Sequence, residues 1–185
     1  MMAAMTVLGA VCFGQTKDFT TLASERYSVR KFAGTSVEQD KIDKILHAGQ
    51  LAPTAVNSQS QKIFVVRSAE AMAALNQVSP CIYGAPQCFV CCYDRYKVIP
   101  RGKDGNYGDI DVTIILTHMM MQAQELGIGT CIVGAYDKAK LRTAMNLPDN
   151  LEPVLLMPFG YAAEDAQPSP KHTSRKPLTE TVEYK

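Results

Sequence analysis

The sequence contains no tryptophan and almost no net charge, +1 over 185 residues. So even a balance excludes the clustered positive excess that a nucleic-acid footprint requires. No apolar run reaches the roughly 18–20 residues needed to span a bilayer, and no internal repeat or low-complexity segment interrupts the chain. A phosphate-cradling fingerprint of the form G-x-G-x-x-G after a strand is also missing. Gly127-Ile128-Gly129 follows a predicted helix, which is the wrong context, so the common dinucleotide-binding fold is not indicated. The length suits one domain with a real core and is too short for two comfortable ones.

There are six cysteines, Cys12, Cys81, Cys88, Cys91, Cys92 and Cys131, but no second Cys/His pair at metal-ligand spacing. Cys88, Cys91 and Cys92 therefore read as core packing on a strand, against the alternative of a metal site. Neighbouring Cys91 and Cys92 would point to opposite strand faces, and an unpaired cysteine packs well as a small hydrophobe. No metal is expected, and free thiols suit a reducing, cytoplasmic compartment. Residues 1–16 form an N-terminal extension and 17–185 a single domain. Met1 to Phe13 is apolar and resembles the core of a signal segment, yet the first basic residue is Lys17 and no charged leader precedes it. Two readings stay open: export, if residues 1–14 act as a signal, or else a mis-set start codon or an N-terminal arm packing on a partner subunit.

What is present is a mixed pattern of helices and strands. Asp18 to Glu25 reads as a short helix. Ser36 and Gln39 have capping-box spacing, and Val37, Ile42, Ile45 and Leu46 give a helical stripe ending near Gly49. Ile63–Val66, Gln87–Tyr93 and Val154–Met157 read as strands, and Cys131–Val133 as a strand or an extended link. Helices are predicted over Ala69–Val78, from Asp109 or Asp111 through Leu126, and from an Asp137 cap to about Met145. The long one is apolar nearly all round, which predicts burial on most sides and a partner chain. Strands and helices alternate imperfectly, so the fold class is α+β.

Four segments carry candidate chemistry. Arg26, Ser28, Arg30 and Lys31 offer guanidinium forks and a hydroxyl suited to a phosphate, or else a solvated turn. Pro53-Thr54-Ala55-Val56-Asn57-Ser58-Gln59 presents amides and hydroxyls fit for a heterocycle edge, or an ordinary turn. Gly127 to Gly134 would let backbone approach a flat ligand, or simply end a helix. Arg175 is a further phosphate ligand or part of a solvated tail. His118, mid-helix, reads as a core or interface histidine. His47 and His172 read as surface residues.

The order of these segments resembles the nitroreductase family. Members carry R-x-S-x-R-x-F, then A-P-S/T-A-x-N-x-Q, a long helix into L-G-I/L-G-T-C, a G-Y strand end and a late R-x-P-L. Here these are Arg26 to Phe32, Ala52 to Gln59, Leu126 to Cys131, Gly160-Tyr161 and Arg175 to Leu178, spanning roughly 18 to 182. The resemblance implies an intertwined homodimer with a central, mostly antiparallel sheet flanked by helices and FMN at the subunit interface. It implies that Arg26, Ser28, Arg30 and Arg175 hold the phosphate, with Tyr27 among them. It implies that Pro53, Thr54, Ala55 and Asn57 reach the flavin from the other subunit, and that Ile132, Val133 and Gly134 cover the ring and bring a backbone N–H near N5. The implied activity is reduction of nitroaromatic or quinone-type acceptors with NADH or NADPH, by ping-pong hydride transfer. A non-enzymatic flavin-binding or storage protein is the alternative. Two departures bear on the substrate: Gln59-Ser60-Gln61 stands where Q-P-W is usual, and Gly134 where larger members carry Glu.

Overall fold

A computed structural model describes residues 17–103 and 105–185. The extension over 1–16, with its arm or signal reading and Cys12, lies outside the described residues. The elements are α1 (Phe19–Glu25), α2 (Gln39–Gln50), β1 (Gln61–Val66), α3 (Ala69–Val78), β2 (Gln87–Asp94), α4 (Gly108–Glu125), β3 (Gly129–Thr130), α5 (Lys138–Ala144) and β4 (Leu151–Gly160). The sheet order is β1-β2-β4-β3, and all three pairings are antiparallel. This is the expected α+β architecture.

β2 is the centre of the core. Its residues alternate between faces as a pleated strand requires, but both faces are covered. Cys88, Val90 and Cys92 pack with Leu75, Leu141 and Leu156 under α3 and α5. Phe89, Cys91 and Tyr93 pack with Ile42, Ile45, Ile115 and Met119 under α2 and α4. Phe89 stacks on Phe159 of β4, with centroids 4.2 Å apart. Each fully buried Leu, Ile or Phe here contributes about 1.5–3 kcal/mol. Cys91 and Cys92 thus take opposite faces, and neighbouring apolar side chains account for both.

Three local expectations change. Ser36 does not cap α2: Glu38 is the N-cap residue, because Val37 is buried and its N–H is taken by the side chain of Gln87 at 2.7 Å. β4 is longer than Val154–Met157 and contains two prolines. Pro153 sits at the bulge opposite Cys91 and Cys92. Pro158 lacks a donor on the side where Cys131 N–H meets its carbonyl at 3.2 Å, next to an irregular link rather than a full strand. Finally, the strand at the end of α4 is Gly129–Thr130, and 131–133 is the link, tied to β4 by a Val133–Leu156 bridge. Gly127, at φ +72°, closes α4 in the left-handed conformation.

α4 buries only one face within the chain, through Val112, Ile115, Leu116, Met119 and Ala123. Ile110 stays 39% exposed, and His118 is exposed on a groove of about 410 Å³ shared with Phe19, Leu22 and Met121. That excludes the core as the place of His118. Among the described residues no helix is long and apolar enough to cross a membrane.

The basic segment after α1 is docked on the sheet edge. Val29 N–H donates to Thr130 O at 2.9 Å and Ala33 N–H to Tyr161 O at 2.8 Å, with a parallel bridge between Ser28 and Thr130. A Cβ on Gly129 would lie 2.6 Å from Val29 Cγ2, so only glycine permits this approach. Gly129→Ala is therefore expected to lower stability by about 1–3 kcal/mol through overpacking. Gly134→Ala, whose Cβ would meet Leu155 Cδ2 at 3.5 Å, is expected to stay within roughly 0.5 kcal/mol of the parent. Urea midpoints at unchanged m-value check both.

Candidate functional site

Two segments remote in sequence converge at the end of α1. Arg26, Tyr27, Ser28 and Arg30 from the docked segment line one cavity of about 330 Å³ with Ser169, Lys171, His172 and Arg175 from the tail. Four of these side chains are cationic at neutral pH and none is acidic. The sheet fixes the first segment, while side chains fix the second. His172 Nε2 lies 3.1 Å from Ser24 O at the end of α1, and its ring meets Tyr27 edge-on at 6.2 Å. Arg175 Nη1 donates to the carbonyls of His172 at 2.6 Å and Ser174 at 2.8 Å. One nitrogen thus anchors the guanidinium to the tail. Guanidinium forks, an ammonium and a hydroxyl around a cavity without a carboxylate fit a phosphate group.

His172, read from sequence as a surface residue, is half-buried and belongs to this cavity. Ser169 and Lys171 were also missed, because a polar, proline-rich terminus gives no periodic signal. Tyr83 is another addition. It adopts the left-handed region at φ 56°. Its phenol is held above its ordinary pKa by the Cys81 thiol and by burial, against the nearby Arg30 guanidinium. Cys131 adjoins the same corner: burial pushes its thiol up, opposed by the Arg30 charge and a hydrogen bond with Ser28.

The link 131–134 leads away from this cavity along β4. The N–H groups of Cys131 and Val133 donate to Pro158 O and Leu156 O, and the Val133 side chain turns into the core under α3 and α5. The alternation of an extended chain leaves the Ile132 and Gly134 amides pointing off the ladder. Gly134 is exposed and lines a second cavity of about 280 Å³ with Asp109, Tyr136 and Glu152. The Glu152 carboxylate there is committed to Arg95 and Lys138.

The loop Pro53 to Gln59 does not meet the basic cavity within one chain. It sits at the N-terminal end of α4, where Ala55 N–H donates to Asp111 Oδ1 at 3.0 Å. Three of its non-glycine residues occupy the left-handed region, Val56 at φ 45°, Asn57 at 57° and Gln59 at 46°. For β-branched Val56 this costs on the order of 1–2 kcal/mol, and its side chain, 82% exposed, recovers none of that by burial. Strain kept at an exposed tip points to a function outside the chain's own core.

The sequence profile of the nitroreductase family matches residues 23–80 and 79–161. A Methanothermobacter thermautotrophicus protein whose name pairs NADH dehydrogenase with NAD(P)H nitroreductase is 30% identical over 150 residues, covering 76% of this chain and 75% of the relative. The crystal structure of a nitroreductase family protein from Clostridium difficile 630 superposes with a TM-score of 0.85 at 36% identity, covering 91% of this chain and 98% of that one. An FMN-dependent nitroreductase from Clostridium difficile R20291 shares the fold, at a TM-score of 0.71 and 24% identity over 88% of this chain and 96% of that one. The matched residues take in the docked basic segment and the strained loop and end before the tail, and the chain belongs to the nitroreductase family.

Proposed function

We propose that the chain is an FMN-dependent oxidoreductase that uses NADH or NADPH to reduce nitroaromatic or quinone-type acceptors, working as a homodimer in the cytoplasm. The observation that carries this reading is the convergence of Arg26, Ser28, Arg30, Lys171 and Arg175 on one cavity without a carboxylate. When bound, FMN supplies the two-electron chemistry between nicotinamide donor and acceptor. The chain supplies position and electrostatics. Arg26, Arg30 and Arg175 neutralise the phosphate, the Ser28 hydroxyl adds a donor, and Tyr27 braces His172. Ile132 and Gly134 would offer their amides to the ring, with Val133 behind them in the core. Pro53, Thr54, Ala55 and Asn57 reach the same ring from the partner subunit. Support for two chains comes from apolar side chains left uncovered on segments beside α4: Phe19 is 70%, Leu51 68% and Val56 82% exposed, as an interface would use. The name of the Methanothermobacter relative and the FMN dependence of the Clostridium difficile R20291 enzyme agree with this chemistry.

The purified protein is expected to be yellow and to release FMN on heating, identified by chromatography. It is expected to oxidise NADH or NADPH with a nitroaromatic or quinone acceptor well above the free-flavin rate. Release of FAD, or failure of added FMN to bind, sinks the cofactor assignment; FMN binding with turnover only at the free-flavin rate makes the protein a flavin store instead.

Arg30→Ala and Arg175→Ala are each expected to weaken FMN binding about tenfold to a hundredfold, the loss of one charge-assisted contact of roughly 1.5–3 kcal/mol. Riboflavin, which has no phosphate, is expected to bind both variants as it binds the parent. Equal losses for the two ligands, measured by fluorescence titration, would instead mean that the arginines support folding.

Shared sites predict complementation. Arg30→Ala and Asn57→Asp homodimers are each expected to be defective, whereas a mixed dimer collects both defects in one site and leaves the other intact. Random co-refolding is then expected to regain about a quarter of wild-type activity per chain, since a two-fold dimer has two equivalent sites. No recovery, with wild-type refolding well, would assign each flavin to a single chain.

A further inference from the structure

Asp111 is the buried acid left unexplained by the phosphate cavity. It is 2% exposed and stands in the first turn of α4, where the helix dipole favours an anion. Its carboxylate faces the strained loop. Oδ1 accepts the Ala55 N–H at 3.0 Å, and Oδ2 lies 3.5 Å from the Ser58 hydroxyl. The loop's other ties are internal: Asn57 N–H to Thr54 O at 2.9 Å, Ser58 N–H to Ala55 O at 3.0 Å, and Gln59 N–H to Thr54 Oγ1 at 3.1 Å. Internal bonds fix the shape of the turn but not where it stands on the protein. The contact to Asp111 is the polar tie, among the described residues, that joins this turn to a core helix.

We infer that Asp111 is a positioning residue for the cofactor: it clamps the left-handed turn at Val56 and Asn57 against α4 and so sets the edge that the chain presents to the flavin ring of the partner subunit. The inference rests on the proposed FMN reading. A conformation that is costly at Val56 and Asn57 persists only where its surroundings over-determine it, and a buried carboxylate persists only where donors satisfy it. The two requirements meet in one contact. The turn supplies the donors that keep the acid buried, and the acid supplies the fixed point that keeps the turn strained.

The test uses the full-length chain. Asp111→Ala is expected to weaken FMN and riboflavin alike, by about tenfold, because the turn addresses the ring rather than the phosphate. Asp111→Asn retains an acceptor for Ala55 N–H and is expected to stay within about threefold of wild type. Ala55→Pro deletes the N–H from the other side. Thr54, at φ −130° and ψ 157°, already has the extended backbone that precedes proline, and position 55 opens the turn, where proline fits. This variant is expected to reproduce the tenfold loss for both ligands, and its failure to do so counts against the inference even if Asp111→Ala does not refold. Binding within twofold of wild type in Asp111→Ala, or in Ala55→Pro when it stands alone, overturns the inference. So does a loss confined to FMN.

Co-refolding separates the inference from the reading beneath it. Asp111→Ala mixed with Arg30→Ala is expected to regain about a quarter of wild-type activity, as Asn57→Asp with Arg30→Ala does. If only the Asn57 pair recovers, Asp111 does not act through the partner's site and the inference fails while the two-chain reading stands. If neither pair recovers, both fall.

Discussion

The hydrogen bond from Val29 N–H to Thr130 O, and the glycine contact that allows it, organise the candidate site. Through it the basic segment becomes an extra strand-like layer on the sheet edge, so that Ser28 and Arg30 inherit the rigidity of β3 and β4. A phosphate cradle built from long, flexible cations loses side-chain entropy when it closes. Anchoring the backbone on a sheet reduces the part of that loss that falls on binding. The tail reaches the same place by different means, through the His172 ring against Tyr27 and its nitrogen at Ser24 O. One wall is therefore set by ladder geometry, and the other by side chains that can be removed without touching the sheet.

The two halves of the proposed cofactor environment also differ in how they store energy. The basic cavity lies at the end of α1 beside ordinary extended backbone, whereas the Pro53 to Gln59 turn holds three non-glycine residues at positive φ. A strained turn placed on the first turn of an 18-residue helix moves as that helix moves. If α4 also forms the subunit interface, as its uncovered face suggests under the proposed reading, then any shift of the interface reaches the flavin directly.

Much of the architecture was legible in the sequence, for physical reasons that differ by element. α5 was visible because Asp137 caps it with its own side chain, and β2 because its six central residues, Cys88 to Tyr93, are all Cys, Val or aromatic. α2 was misplaced at its start, since the capping-box spacing at Ser36 competed with a tertiary bond, Gln87 to Val37, that no local pattern encodes. β4 was cut short because Pro153 and Pro158 argue against a central strand unless a bulge and an irregular neighbour are known. In the site, Arg26, Ser28, Arg30 and Arg175 were found by residue chemistry and order. His172, Lys171 and Tyr83 were not, because each acquires its role only when the tail or the turn before β2 folds back onto the first segment. From the sequence Asp111 stands out only as a possible start of the long helix, and its contact to Ala55 spans 56 positions.

The double-sided burial of β2 has a chemical consequence. Cysteine reacts with oxidants and electrophiles as its thiolate. Burial pushes the Cys92 thiol up to about 12 and raises Cys88 and Cys91 as well. At neutral pH burial therefore holds these groups as thiols rather than as the reactive thiolate. A protein proposed to handle nitro and quinone compounds thus carries three neighbouring thiols in its central strand in a form that such compounds attack slowly. The same packing that gives the sheet its core makes the strand a poor target for the chemistry proposed at the sheet edge.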